Sequence, residues 1–372
     1  MTGISARTPA MNPVPLSLVD AALGTQPAPA ALALPAACYT QAEYAAAERS
    51  AVFARGWQLV AHASQLRSTG DHALAEIAGV PLVLVRGDDG TLRALHNVCR
   101  HRAGPLAICN GRGAKQLECR YHGWRYALDG RLLGAPDMGR VQDFDPSAIR
   151  LPQARVRQWR GLVFAALDET APPFEQLVEG IDARLGAALA DYEFDQRASY
   201  EVGCNWKVYV DNYLEGYHVA QVHPTLAPLL DAERYATTLA RWSSLQASPL
   251  AGDGPYAQGE ALYAWLYPNT MLNALPGRLQ TNRVVPLGTD RCRVDFEYFY
   301  APEVPADKRV EDQRFSDEVQ VEDIGICEAV QRGLASGSYV AGRLNPRQES
   351  GLWHFHELLR AAYRAAPDGA AG

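Results

Sequence analysis

The chain has 372 residues, 48% apolar and 21% charged, enough for two domains of an ordinary globular protein. Its formal charge of -7, from 35 Lys plus Arg against 42 Asp plus Glu, argues against a nucleic-acid surface. No apolar run approaches the ~20 residues that cross a bilayer, no basic-then-apolar leader opens the chain, and seven scattered Cys make no disulfide framework, so a reducing cytoplasm is the expected setting.

Residues 1–38 carry six prolines (Pro9, Pro13, Pro15, Pro27, Pro29, Pro35), which forbid a long helix and predict a draped or flexible arm. Thr40 to Phe53 then fits a short amphipathic helix, with Thr40 as N-cap and Glu43 completing a capping box. Residues 54–166 read as all-β. Val80–Val85 and Leu92–Asn97 flank a Gly87-Asp88-Asp89-Gly90 turn, Asp129-Gly130 marks a hairpin, and Gly161–Ala165 is a further strand. From Phe174 the pattern is mixed, with helices expected near 174–190, 206–220 and 316–334 and strands near 262–274, 280–286 and 291–300. No internal repeat is present.

Two constellations carry chemistry. Within the all-β segment, Cys99-Arg100-His101 and Cys119-Arg120-Tyr121-His122 place a Cys-x-His and a Cys-x-x-His seventeen residues apart. Two Cys and two His suit either a structural zinc or a [2Fe-2S] cluster in which His replaces Cys on one iron. One thiolate and one imidazole per loop suits the two-iron arrangement, both sulfurs on one iron and both nitrogens on the other. The remaining thiols, Cys38, Cys109, Cys204, Cys292 and Cys327, are expected to be buried small hydrophobes.

The second constellation lies in Asn205–His218 and His223-Pro224. On a continuous helix Asp211, Glu215 and His218 share one face. His218 and His223 are about 140° apart on an ideal helix. They can reach one metal only if the helix widens or ends between them. Two His and a carboxylate are the facial ligands of non-haem Fe(II) oxygenases. In the helix from Asp317 to Leu334, Asp323 falls at the centre of the stripe Val319, Ile326, Cys327, Val330 and Leu334, with Glu322 to its side and Glu328 nearly opposite. A lone acid facing a core is costly unless bound to a metal or paired, so Asp323 is the candidate third ligand, a buried salt bridge being the rival. His62, His72 and His96 lack such context, and His354 and His356 read as structural.

Together these loops resemble the α-subunits of Rieske-type non-haem iron oxygenases over roughly residues 40–360. Asn212–His218, Tyr267–Asn273 and Glu322–Glu328 resemble the branch acting on choline, glycine betaine and carnitine. The resemblance implies an α+β chain: the 1–38 arm, a helix over 39–53 packed on the catalytic domain, an all-β Rieske [2Fe-2S] domain over 54–166, and a helix-grip catalytic domain over 167–372. It implies a cluster on Cys99, His101, Cys119 and His122, a mononuclear Fe(II) on His218, His223 and Asp323, and O2 as co-substrate. It also implies a ring of three subunits, in which Glu215 joins His218 to a neighbour's His122. Asp211 remains a second candidate for that bridge, and Asn212 is the third candidate catalytic residue. With no GxGxxG after a strand and no plant-type ferredoxin Cys set, electrons are expected from a separate NAD(P)H-dependent reductase. The expected reaction is monooxygenation of a quaternary or methylated amine. The competing readings are an oxygenase for an aromatic or other hydrophobic substrate, and a non-catalytic electron carrier or zinc-stapled binding protein.

Overall fold

The computed structural model describes residues 23–185, 189, 191–251 and 259–365. These divide into two compact units, Phe53–Pro172 and the combination of 23–52 with 173–365. Residues 1–22 of the expected arm lie outside the described residues.

In the first unit a six-stranded antiparallel sheet takes the order β1 (Gln58–His62), β9 (Leu162–Ala166), β8 (Gln153–Trp159), β4 (Leu92–His96), β3 (Val80–Arg86), β2 (His72–Ile77). A smaller sheet holds β5 (Leu117–Glu118), β6 (Arg125–Tyr126) and β7 (Leu132–Gly134). Side chains alternate along β3, so its fully buried run serves two cores. Leu82 and Leu84 join Ala73, Ile77 and Val163, while Val83 and Val85 join Leu95, Cys99, Cys119, Trp124 and Tyr126. That second core seats both Cys-His loops. The Gly87–Gly90 turn closes between β3 and β4, Gly90 N–H donating to the Gly87 carbonyl at 3.0 Å.

The second unit is built on a seven-stranded antiparallel sheet, ordered β10 (Glu193–Val202), β16 (Cys292–Tyr300), β15 (Arg278–Pro286), β14 (Thr270–Leu275), β13 (Glu260–Leu266), β12 (Ser243–Pro249), β11 (Ala236–Leu239). The single strand expected over 262–274 is a hairpin, β13 pairing with β14 from Leu266↔Thr270, because Pro268 has no N–H for a ladder. The helices are α1 (Ala37–Thr40), α2 (Ala42–Glu48), α3 (Phe174–Val178), α4 (Asp182–Leu185), α5 (Trp206–Tyr213), α6 (Val219–Val222), α7 (Ala306–Ala335) and α8 (Ser350–Arg364).

Several expectations are corrected. The Thr40 capping box is absent: Thr40 ends α1, its hydroxyl donates to the Ala36 carbonyl at 3.0 Å, and Gln41 precedes α2 without a side-chain cap. The helix expected over 174–190 is interrupted at Gly180, which takes φ +80°, a value glycine adopts readily. Helix α7 starts at Ala306, ten residues before the expected 316, since its first turns are polar and lack the apolar stripe that marked the rest. No helix among the described residues is long and apolar enough to cross a membrane.

The described part of the arm is held rather than free. Arg360 donates to the Leu32 carbonyl at 2.7 Å and Trp353 to that of Gln26 at 2.9 Å. Behind it lies a buried acid: Glu48 receives Lys207 Nζ at 2.5 Å, Trp206 Nε1 at 2.6 Å and the Tyr363 hydroxyl at 2.6 Å. A buried carboxylate needs such partners, and these three tie α2, α5 and α8 together.

Candidate metal centres

The two Cys-His loops are one device used twice. In the first, Cys99 N–H donates to the Gly104 carbonyl at 2.8 Å and Ala103 N–H returns to Cys99 at 3.0 Å. In the second, Cys119 N–H donates to Trp124 at 2.9 Å and Gly123 N–H returns to Cys119 at 2.9 Å. Ala103 at φ 58° and Gly123 at φ 69° make the same left-handed step. Asn97 staples the first loop from within, accepting from Leu106 and Ala107 N–H at 2.8 and 3.0 Å.

Cys99 and Cys119 are 3% and 2% exposed, and the rings of His101 and His122 lie 4.5 Å apart. His101 stacks on Trp124 at 4.9 Å, and its buried Nδ1 has no hydrogen-bond partner among the described residues. Desolvation, and then the neighbouring His101, hold His122 below its usual range, favouring the neutral imidazole that binds metal. A Cβ on Gly104 would stand 2.8 Å from Cys119 Sγ, so only glycine leaves the thiolate room. Two buried thiols, an orphaned imidazole nitrogen and a cradle free of Cβ fit a [2Fe-2S] cluster. Cys109, expected to be buried, is exposed, because it lies on the surface side of the loop after Leu106.

The second centre forms where α5 stops. Asn205 caps α5 by accepting from Lys207 N–H at 3.0 Å, and Leu214 N–H closes the other end onto Val210 and Asp211. The continuous helix expected over 206–220 therefore ends at Tyr213, and Gly216 passes so close to the Tyr235 ring that a Cβ would meet it at 2.8 Å. A fresh turn, α6, follows, with His218 just before it and His223 just after. This ending brings the rings 5.2 Å apart. Across from them on α7, Asp323 Oδ1 lies 3.1 Å from His223 Nε2 and 3.9 Å from His218 Nε2. Among the described residues, these three are the group whose ligand atoms gather tightly enough for one ion.

Each imidazole is gripped from behind. Glu215 Oε1 is 2.7 Å from His218 Nδ1, and Glu322 Oε2 is 2.8 Å from His223 Nδ1. Carboxylates at both Nδ1 atoms leave both Nε2 atoms toward Asp323, the tautomer a metal site needs. Glu215 also accepts from the backbone N–H of Tyr217 and His218. Burial opposes protonation of His223, but Asp323 and then Glu322 outweigh it and its pKa is raised. Asn212 Nδ2 donates to Asp323 Oδ1 at 2.6 Å, which fixes that carboxylate.

Asp211 is elsewhere: with the helix broken it does not share a face with Glu215 and His218. It accepts instead from the Tyr39 hydroxyl at 2.6 Å and lies 3.0 Å from His356 Nε2. The part Glu322 plays was missed, its position beside Asp323 on α7 being the only sequence signal.

The centre opens into a cavity lined from α5, α7 and the sheet. Tyr209, Tyr213, Tyr235, Tyr263, Phe296 and Phe315 supply its aromatic wall. Burial pushes Tyr263 up to about 12 and raises Tyr209, Tyr213 and Tyr235 well above the ordinary range, so the wall presents neutral phenols. Its ionisable lining is Glu215 and Asp323 with the two histidines, and Arg278, which Asp312 pairs at 3.1 Å.

Residues 189–365 match the family model of the ring hydroxylating α subunit (catalytic domain), and residues 56–145 match that of the Rieske [2Fe-2S] domain. The chloroplastic choline monooxygenase of Arabidopsis thaliana is 36% identical over 345 residues, covering 87% of this chain and 81% of that protein. The carnitine monooxygenase oxygenase subunit of Escherichia coli K12 is 32% identical over 350 residues, covering 89% and 94%. A solved quaternary ammonium Rieske monooxygenase, described for carnitine oxidation and inter-subunit electron transfer, shares 27% identity and superposes with a TM-score of 0.84 over 91% of this chain and 99% of that one. The chain thus belongs to the α-subunits of the Rieske non-haem iron oxygenases, oxidoreductases that carry a [2Fe-2S] cluster and a mononuclear iron, in the branch of the choline and carnitine monooxygenases.

Proposed function

We propose that the chain is the terminal oxygenase of a multicomponent system that oxidises a quaternary or methylated amine of betaine type. The observation that carries this reading is the aromatic cavity opening onto His218, His223 and Asp323. Aromatic faces attract a quaternary ammonium by about 0.5–2 kcal/mol per good contact. Arg278 on the lining is already paired by Asp312, so it repels a cation less. Cys99, His101, Cys119 and His122 would hold the cluster and His218, His223 and Asp323 the iron. Bound there, the two groups supply single-electron transfer and O2 activation.

The chain's own residues do the remainder. Glu215 and Glu322 fix the imidazole tautomers, Asn212 holds the Asp323 carboxylate, and the buried phenols exclude water. In the net reaction a C–H bond beside nitrogen becomes C–OH, one O2 atom enters, and the other leaves as water with two electrons and two protons. The resulting carbinolamine collapses to an aldehyde and a smaller amine. A separate NAD(P)H-dependent reductase would provide the electrons. A homotrimer would set the partner subunit's His122 against Glu215, a reading supported by the inter-subunit electron transfer described for the solved relative.

The test is anaerobic purification with metal analysis, then turnover with a reductase and NADH. Two cluster irons plus one mononuclear iron per chain, a rhombic Rieske EPR signal after reduction, and aldehyde from choline, glycine betaine or carnitine are expected. Missing iron or a missing signal would end the oxygenase reading. Coupled turnover only with aromatic acids would replace the substrate class.

A further inference from the structure

Gln320 stands on α7 one turn before Asp323, and both line the cavity. Three residues along a helix are about 4.5 Å of rise and about 60° of rotation, so the two side chains leave the same flank at neighbouring levels. Gln320 is only 2% exposed. Its Oε1 accepts from the Tyr209 hydroxyl at 2.6 Å, and burial keeps that phenol protonated and therefore a donor. Its Nε2 is buried with no hydrogen-bond partner among the described residues. A buried amide N–H without an acceptor is costly, and natural interiors seldom leave one so. Here it belongs to a cavity wall, where an acceptor can arrive with a ligand.

We propose that Gln320 Nε2 is the specificity group for an oxygen on the second carbon from the substrate nitrogen. This rests on the quaternary-ammonium reading above and goes beyond it by stating what else the substrate must carry. In an N–C–C–O unit the nitrogen and oxygen are about 3–4 Å apart. With an N-methyl group at the His218, His223 and Asp323 end, such an oxygen falls about one helical turn away, at the level of Gln320. A hydroxyl or carboxylate oxygen there accepts from Nε2 while the Tyr209 bond to Oε1 holds the amide in place. Tetraalkylammonium ions without that oxygen leave the N–H unpaired.

The experiment is calorimetric binding to the oxidised, metal-loaded enzyme of two matched pairs, choline against ethyltrimethylammonium and L-carnitine against its 3-deoxy analogue. Each pair differs by one oxygen on the second carbon. Wild type should prefer the oxygen-bearing member of the pair by about five- to tenfold, the worth of one neutral hydrogen bond. Gln320→Leu, which keeps the bulk but has no N–H to donate, should lose that preference. Equal wild-type affinities within both pairs overturn the assignment whether or not the variant folds, as does a preference that survives in a folded Gln320→Leu. In either case the quaternary-ammonium reading stands. Failure of all four ligands to bind overturns both.

Discussion

Glu322 and Asp323 are adjacent acids on one helix, and their separate truncation tests which one a metal would use. His223 is 2% exposed at the side chain, and its Nδ1 has Glu322 as acceptor at 2.8 Å. Glu322→Ala leaves that buried N–H without its charged partner. A hydrogen bond to an ionised group is worth about 1.5–3 kcal/mol, or roughly 10- to 150-fold in an equilibrium constant. Glu322 is 28% exposed, so water replaces part of the loss, and the lower end, about 10- to 30-fold weaker metal binding, is the expected outcome. Asp323→Ala instead removes the proposed ligand and should lower affinity well beyond that. The assay is anaerobic Co(II) titration of the chelator-stripped mononuclear site against a competing chelator, with visible circular dichroism of the cluster as a control for the other domain. Unchanged affinity in Glu322→Ala would refute the positioning argument. A larger loss in Glu322→Ala than in Asp323→Ala would make Glu322 the ligand.

Three further outcomes are expected. Glu215→Gln should keep both metals by EPR and metal analysis while steady-state turnover collapses; turnover at the wild-type rate would refute its part in electron transfer. Gly104→Ala puts a methyl 2.8 Å from Cys119 Sγ, so it should abolish the Rieske EPR signal while Co(II) still titrates the mononuclear site at wild-type affinity, an overpacking cost of about 1–3 kcal/mol. His62 is held down to about 4 from 6.5, chiefly by burial and then by Arg67. The unfolded chain therefore takes up this proton first, so the contribution is intact above pH 6.5 and lost as pH falls through 4, amounting to about 3 kcal/mol at most. Melting curves from pH 7 to 4 should fall less steeply for His62→Gln, and parallel slopes would contradict the assignment.

What was legible in the sequence follows contact distance along the chain. Cys99 with His101, and Cys119 with His122, each sit within one tight loop, so spacing alone pointed to a shared metal site. His218 and His223 flank a single turn, which their spacing required. Asp323 was reached through a stripe that is only half right. Ile326 and Val330 are 37% and 44% exposed, while the buried row is Asp312, Ser316, Gln320, Cys327, Gln331 and Leu334. That row is polar because it bonds the polar residues of the sheet and lines the cavity, as when Ser316 donates to Gln280 at 3.1 Å. Asp323 still falls between Gln320 and Cys327, so the position survived a change of reason. The role of Glu322 depends on the side from which a residue 99 positions away approaches α7, and no local pattern records that. Likewise Tyr235 and Phe315 line the cavity from positions outside every predicted helix and strand, where no periodicity marked them.

The grip on the two imidazoles has a consequence for the life of the chain in a cell. Glu215, Glu322 and Asp323 crowd three carboxylates around two rings, and their mutual repulsion is relieved when a divalent cation sits among them. Any ion that binds only the folded form stabilises it by mass action, about 2.7 kcal/mol at a free concentration one hundred times its dissociation constant. Bound iron would therefore make this domain open less often, and opened chains are what cellular proteases remove. A cell short of iron would clear the empty subunit faster than the loaded one. The abundance of the enzyme would then follow the metal without any change in its synthesis.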